Sequence, residues 1–402
     1  MTATSQPLET VSPPEPPGPI TWMRENLFSN WYNSLLTVLG LALIVWALAS
    51  SLHWVFVTAD WRPVVNNPLL YMVGQYPRDR LWRVGAILAI ISFLSGVSWK
   101  TWGGIMRTLI LAYMALVLVG AFWPAQVQSL TLQMRVFLLA NLAVVAAGYL
   151  TGALTRVKGG VVTVSWLLSG IISLILLSGI SNVLPVVPTN LWGGLLVTMI
   201  LAVGGIVLSF PIGVLLALGR RSKLPVISIL STIFIEVVRG VPLIGILTLF
   251  SIILPLFLPQ NVRIDRLLRA LVGMIIFSAA YMAENVRGGL AAVPPGQEEA
   301  AKALGLRGYQ TTLLIVLPQA LRAVIPPIVG QFISLFKDTT LASGIAVLEF
   351  LAVGRSILQA NPAYVGLQAE VYIFIAAVFW IFCYLMSYAS QRLEVALGVG
   401  ER

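Results

Sequence analysis

From Leu35 to Ala389 the chain is a succession of apolar runs, most of them near the length of about 20 residues that a helix needs to cross a bilayer. Inside hydrocarbon no water is present to pair with backbone N–H and C=O groups. Each such run must therefore satisfy its own backbone as a helix. Candidate spans are 35–57, 84–98, 105–123, 136–154, 161–180, 194–218, 225–258, 268–286, 322–343 and 365–389. The second is short, and the seventh is long and interrupted by "RGVPL" (239–243). The expected fold is an all-α polytopic membrane protein of about ten transmembrane helices, with eight as the alternative. Composition agrees: 10% of residues are charged, against about 25% in a soluble domain.

The net charge of +10 would suit nucleic acid, but the cations sit in short loops between apolar runs, where they orient a membrane protein. No nucleic-acid partner is expected. "KTWGGIMR" (100–107), "TRVK" (155–158), "RRSK" (220–223) and the loop 287–322 fall on one side, expected to be cytoplasmic. The loop 181–193 has no Lys or Arg and falls on the other. Loops 58–83 and 259–269 carry arginines yet also fall outside, so the rule has exceptions here. Both termini come out cytoplasmic for either eight or ten spans. One cysteine, Cys383, and one histidine, His53, provide neither a disulfide nor a cysteine or multi-histidine metal site,. Residues 1–30, with "PPEPPGP", read as a disordered cytoplasmic tail,.

Composition changes near residue 190. Residues 31–187 form an N-terminal transmembrane extension whose spans hold few polar residues. Residues 188–394 carry Glu236, Arg239, Glu284, Lys337 and Asp338 inside or beside theirs. Between two of these later spans lies "PPGQEEAAKALGLRGYQTTLLIVLP" (294–318). Pro294, Pro295 and Gly296 stop the preceding helix. Glu298 and Glu299 suit the positive end of a new helix dipole, "EEAAKAL" is strong helix former, and Gly305 is the residue favoured just past a helix end. The reading is a helix of about two turns, too short to stand alone in water. Its alanines offer little bulk, whereas a helix lying on lipid presents large apolar side chains. A docking element for a cytosolic protein fits better.

The same stretch resembles the EAA signature of the permease subunits of bacterial ABC importers: E-A-A, three residues, G, nine residues, I, any residue, L-P. Glu299, Ala300, Ala301, Gly305, Ile315, Leu317 and Pro318 match it without departure. "ENVRGGL" (284–290), "LPQALR" (317–322), "FKDTTL" (336–341) and "VVRGVPL" (237–243) are similar to the polar amino-acid branch, over about residues 190–392. The resemblance implies a C-terminal five-helix, MetI-like type I importer core with a cytoplasmic EAA loop at 290–318, in the bacterial inner membrane. It implies that Glu299, Ala300, Ala301, Gly305, Leu306 and Pro318 belong to a coupling helix seated on an ABC ATPase dimer. Further implied partners are a second homologous permease (a heterodimer, with a homodimer as the alternative), a periplasmic amino-acid-binding protein, and glutamate-, glutamine- or aspartate-like substrates. The dipeptide GK does not occur in the chain, so there is no P-loop. No catalytic residue and no bound cofactor are expected; ATP and Mg would be used by the partner. An ion-coupled secondary transporter is the alternative.

Charged groups inside a bilayer usually face a cavity or a partner. Arg239 reads either as a cation for an amino-acid carboxylate at a helix break, or as the partner of Glu236 one turn back. Glu284 reads as a pair with Arg287 or as part of the translocation path. Lys337, Asp338 and Thr339 read either as a lining of that path or as an interfacial cap. Pro318, Pro326 and Pro327 are expected to kink helices.

Overall fold

The computed structural model describes residues 18–124, 130–181, 183–259 and 261–398. Among these residues the chain is helical, with no strand beyond isolated bridges. By contacts it divides into two compact units, one ending at Asp60 and one beginning at Trp61.

The first unit holds α1 (Pro19–Asn26) and α2 (Trp31–His53). The disordered tail expected over 1–30 needs correction: residues 1–17 lie outside the described residues, and Pro19–Asn26 is a helix. Pro19 stands at its first position, where a missing N–H costs nothing. None of the residues of α2 is buried, and with the turn that follows it makes an apolar segment over Trp31–Thr58. A helix apolar all round is one that lipid or protein must cover.

The second unit begins with the short helices α3 (Arg62–Val65) and α4 (Pro68–Val73), followed by the spans α5 (Leu81–Trp102), α6 (Gly104–Ala121), α7 (Leu132–Thr155) and α8 (Gly159–Ser178). α5 and α7 pack at backbone distance. A Cβ on Gly96 would stand 2.0 Å from the Val145 carbonyl oxygen, and one on Gly148 2.1 Å from that of Phe93. Small residues allow this approach, which is how helices associate where lipid leaves little hydrophobic drive. Beside the contact, Ser92 Oγ donates to Asn141 Oδ1 at 3.0 Å and stands 2.7 Å from the Tyr113 hydroxyl.

Five spans follow residue 190, counting each bent pair as one. They are α9 (Gly194–Arg220); α10 (Pro225–Arg239) with α11 (Leu243–Thr248) and its continuation to Phe257; and α12 (Arg266–Ala292). Then come α13 (Pro295–Ala303) and the bent pair made of α14 (Gly308–Gln310), α15 (Leu317–Ala323) and α16 (Ile325–Asp338). α17 (Phe350–Ala360) and the span α18 (Gln368–Ala396) complete the chain. Among the described residues eight helices are long and apolar enough to cross a membrane, or ten with the bent pairs. The break in the expected seventh span is real: α10 and the segment from Leu243 meet at 103°, across Gly240-Val241-Pro242. The expected ninth span is also broken, by 63° at Val324, because Pro326 and Pro327 withdraw two consecutive backbone donors. The loop expected over 287–322 is shorter than that: α12 runs to Ala292, α13 fills most of the gap, and the next span begins at Gly308.

Three apolar clusters hold this unit together. The middle one joins α9, α11, α12 and α16 through Leu201, Leu247, Met274 and Leu335, all fully buried. A second, at the end carrying α13, contains Ala217, Ile235, Met282, Val286, Val316 and Ala320. A third, at the opposite end, packs Val64 and Tyr71 from the extension against Phe350, Val353, Val371 and Ile375. There the Tyr71 ring lies 5.0 Å from Phe374 and 5.6 Å from Phe350. The arginines that broke the charge rule find a reason at this end. Arg80 donates to the Val186 carbonyl at 3.0 Å, and the buried Arg83 donates to that of Pro185 at 2.9 Å. Arg266 donates to Ala346 and Arg269 to Ser251. These cations pair loop and helix carbonyls, a local structural task that needs no orientational role.

Candidate functional site

The polar residues that the sequence scattered along 220–302 converge at one end of the second unit. α9 ends in Arg220 and is followed by Arg221. Arg220 reaches Glu236 of α10 at 2.8 Å and Glu284 of α12 at 3.5 Å. Arg239, the last residue of α10, stands 3.7 Å from Glu284 and 3.9 Å from Glu236, and its guanidinium lies 5.5 Å from the centre of the Tyr281 ring. Arg287 closes the group, its Nε donating to both oxygens of Glu284 at 2.9 and 3.0 Å. Three cations thus share two carboxylates. Both local pairings expected from the sequence, Arg239 with Glu236 and Glu284 with Arg287, are present. What the sequence did not indicate is that Glu284 joins both pairs and Arg220 into one group.

α13 lies beside this group. The sequence places its start at the acidic residues, but the helix begins at Pro295, so that Pro295 opens a helix as well as closing the one before,. It ends as expected. Gly305 takes φ +78°, the Gly305 N–H bonds the Lys302 carbonyl at 2.9 Å, and the Leu306 N–H bonds that of Ala301 at 3.2 Å. This pair of bonds is the Schellman closure. One face is held: Ala301 is buried, and Gln319 Nε2 stands 3.3 Å from Gln297 Oε1. The other is open, with Glu299, Ala300, Gly305 and Leu304 exposed and Leu304 at 83% of its surface. Leu306 is half-buried, and Pro318 lies exposed near the start of α15.

Arg221, outside the sequence-derived site set, fastens α13 to the bundle through Glu298. Arg221 Nη2 bonds Glu298 at 3.2 Å while Nη1 donates to the Leu290 carbonyl at 3.4 Å. Lys302 holds the other Glu298 oxygen at 3.0 Å. Lys302, with Arg221 and Lys223 beyond it, holds the Glu298 carboxyl below the usual carboxylate range. A cavity of about 520 Å³ opens among Arg220, Arg221, Arg287, Pro294 and Glu298. The signal in the sequence was the "RRSK" doublet directly after a span, read there only as an orientation mark.

Lys337, Asp338 and Thr339 lie away from this group, where α16 ends. Lys337 is exposed and Asp338 half-buried. Thr339 is fully buried, with its hydroxyl donating to the Phe336 carbonyl at 2.7 Å. It therefore lines no opening in this conformation, contrary to the expectation for it: the hydroxyl is consumed in closing its own helix turn. The sequence reading also passed over Glu349. Fully buried, it caps α17 by accepting from the N–H groups of Leu351 at 2.8 Å and Ala352 at 2.7 Å. Burial pushes its carboxyl up to about 7, against the pull of those two donors and of Arg355. A lone acid directly before "FLAVGRSIL" was the available signal,.

Among the described residues, a helical bundle of eight to ten candidate spans with a short polar helix set between its last spans defines a polytopic membrane protein,. Residues 209–397 match the family described as "Binding-protein-dependent transport system inner membrane component". The chain is 38% identical over 400 residues to the inner membrane amino-acid ABC transporter permease protein YhdY of Escherichia coli (strain K12), covering 95% of this chain and 94% of that one. It is 36% identical over 412 residues to the glutamate/glutamine/aspartate/asparagine transport system permease protein BztC of Rhodobacter capsulatus, at 94% and 93% coverage. The probable glutamine ABC transporter permease protein GlnP of Bacillus subtilis is 37% identical over 205 residues, 51% of this chain and 92% of its own. The chain belongs to the family of ABC importer permeases. It is a transport subunit and not itself a catalyst, and the ion-coupled alternative has no support.

Proposed function

We propose that this chain forms half of the pore of an ATP-driven importer of polar L-amino acids in a bacterial inner membrane, with glutamate, glutamine and aspartate as the leading substrates. The observation that carries the coupling part of this reading is the geometry of α13. It is a nine-residue helix opened by Pro295 and closed by the turn at Gly305, fastened on one side and presenting small residues and Leu304 on the other. Such a surface lets a partner approach to backbone distance with one apolar side chain to grip. The partner is an ABC ATPase dimer on the cytoplasmic side, which puts both termini in the cytoplasm.

The remaining partners are a second homologous permease, giving a heterodimeric pore, and a periplasmic binding protein that presents the amino acid. The chain's own part is mechanical. ATP binding draws the ATPases together, α13 moves with them, and the broken spans change the pore's opening. Charge selectivity in such a path comes from arginines with unsatisfied capacity, and Arg239 keeps a buried Nε without a partner. Lys337 and Asp338 are second candidates for the path.

The test is affinity purification of the chain from its native membrane, with mass spectrometry of what accompanies it, followed by uptake of labelled glutamate, glutamine and aspartate into proteoliposomes. Co-purification of an ATPase and a second permease, with uptake that requires ATP, is the expected result. A chain that arrives alone and transports without ATP overturns the proposal.

A further inference from the structure

Resting on the reading of α13 as the coupling helix, we propose that Arg221 and Arg220 form an ionic linkage that carries the motion of α13 to the elbow between α10 and α11. The two arginines are consecutive in the chain and engage different elements. Arg221 holds Glu298 on α13 at 3.2 Å. Arg220 holds Glu236 on α10 at 2.8 Å and Glu284 on α12 at 3.5 Å. Glu236 and Glu284 in turn both stand within 4 Å of Arg239. Arg239 is the last residue before the chain turns by 103° into the segment beginning at Leu243. The ion pairs therefore reach from α13 to Arg221, and from its backbone neighbour Arg220 on to Arg239 at the sharper of the two helix bends, the end of α9 joining the two sets.

The strength of these pairs suits transmission better than fastening. Their side chains keep a quarter to a half of their surface exposed, and ion pairs of that exposure are individually weak because solvent screens them. They can break and re-form as the elements slide, and they fix the register of α13 against the ends of α9 and α12 without locking it. An apolar route runs in parallel: Ala301 is the one buried residue of α13, and α13 packs on the Thr311–Val316 turn, whose Val316 shares a buried cluster with Ile235 of α10; charge reversal at 221 or 298 leaves that route intact and so reads the ionic one. Arg220 and Arg221 are positioning residues in this scheme, since neither meets substrate.

The experiment uses the complete transporter in proteoliposomes and measures amino-acid uptake per ATP hydrolysed. Arg221→Glu and Glu298→Arg are made singly and together, with Glu298→Gln as a milder variant should either reversal fail to insert. In each single variant the ATPase is expected to co-purify and to hydrolyse ATP, while uptake per ATP falls about fivefold. The double variant is expected to recover to within about twofold, since Lys302, at 57% exposure, can swing away from an arginine at 298. Unchanged uptake per ATP in the single variants overturns the proposal, as does a double variant no better than either. Loss of the ATPase from the single variants also overturns it, because the pair would then serve docking rather than transmission. Failure of the unaltered chain to bring down any ATPase is a separate outcome, and it removes the coupling-helix reading itself.

Discussion

Gly305 is where one residue decides an element's boundary. Its φ of +78° lies in the region that costs an L-residue with a side chain about 1–2 kcal/mol, and the Schellman closure depends on it. Gly305→Val is expected to fray the end of α13 and lower ATPase affinity by about five- to thirtyfold while the protein still inserts. Glu299→Lys changes the open face without backbone strain and is expected to weaken the same association. Pull-down of the ATPase from solubilised membranes reads both, and an undiminished ATPase would exclude a docking role for this face. Glu349 gives a pH signature. Its carboxyl is raised from 4.5 to about 7, so the folded state binds the proton more tightly than the unfolded one. The associated stability is present below about pH 4.5 and is lost as pH rises through about 7. Thermal unfolding in detergent between pH 5.5 and 8.5 should show a fall for the unaltered chain that Glu349→Gln flattens.

Among the elements, the broken helices were legible because proline and glycine act locally: "RGVPL" and "IPPI" announce lost donors wherever they stand. The extent of each bend was not legible, because 103° and 63° are set by what the two halves pack against. The same division applies to α5 and α7. Two glycines in apolar runs are unremarkable in sequence, and the structure brings each against the other helix's carbonyls. Gly96→Val or Gly148→Val is expected to force these helices apart, at the cost of about 1–3 kcal/mol or more that overpacking brings. Fluorescence-detected size exclusion after heating is the measurement, with a lowered midpoint expected for either variant. Gly170, which has open space around its Cβ position, provides the control: Gly170→Val should leave the midpoint near that of the unaltered chain.

Over the whole molecule, residues 61–187 share one compact unit with the family-matched part. Tyr71 and Val64 lie in the same apolar cluster as α17 and α18, and Arg80 and Arg83 bind the carbonyls of the segment leading into α9. A chain begun at residue 188 would bare Phe350 and Phe374 where Tyr71 now covers them. It is expected to insert poorly or aggregate on extraction, and Tyr71→Ala in the full chain should cost about 3–5 kcal/mol by analogy with other buried aromatic truncations. Monodispersity of the truncated chain beside the full one checks this, and a stable truncated permease would refute it.

The sequence by itself determined the membrane class, the run of spans, the places where they break and a helix of about two turns ended at Gly305, though not its start at Pro295. Each of these rests on short-range physics: length against bilayer thickness, donors missing at proline and left-handed backbone at glycine. Only the tertiary structure decided that Glu284 serves three arginines at once, that Arg220 and Arg221 tie different elements, that Thr339 is buried, and that Tyr71 seals the far end of the unit. Those facts depend on residues tens to hundreds of positions apart meeting in space. No periodicity or local spacing encodes such a meeting, because it is fixed by how whole helices pack against one another.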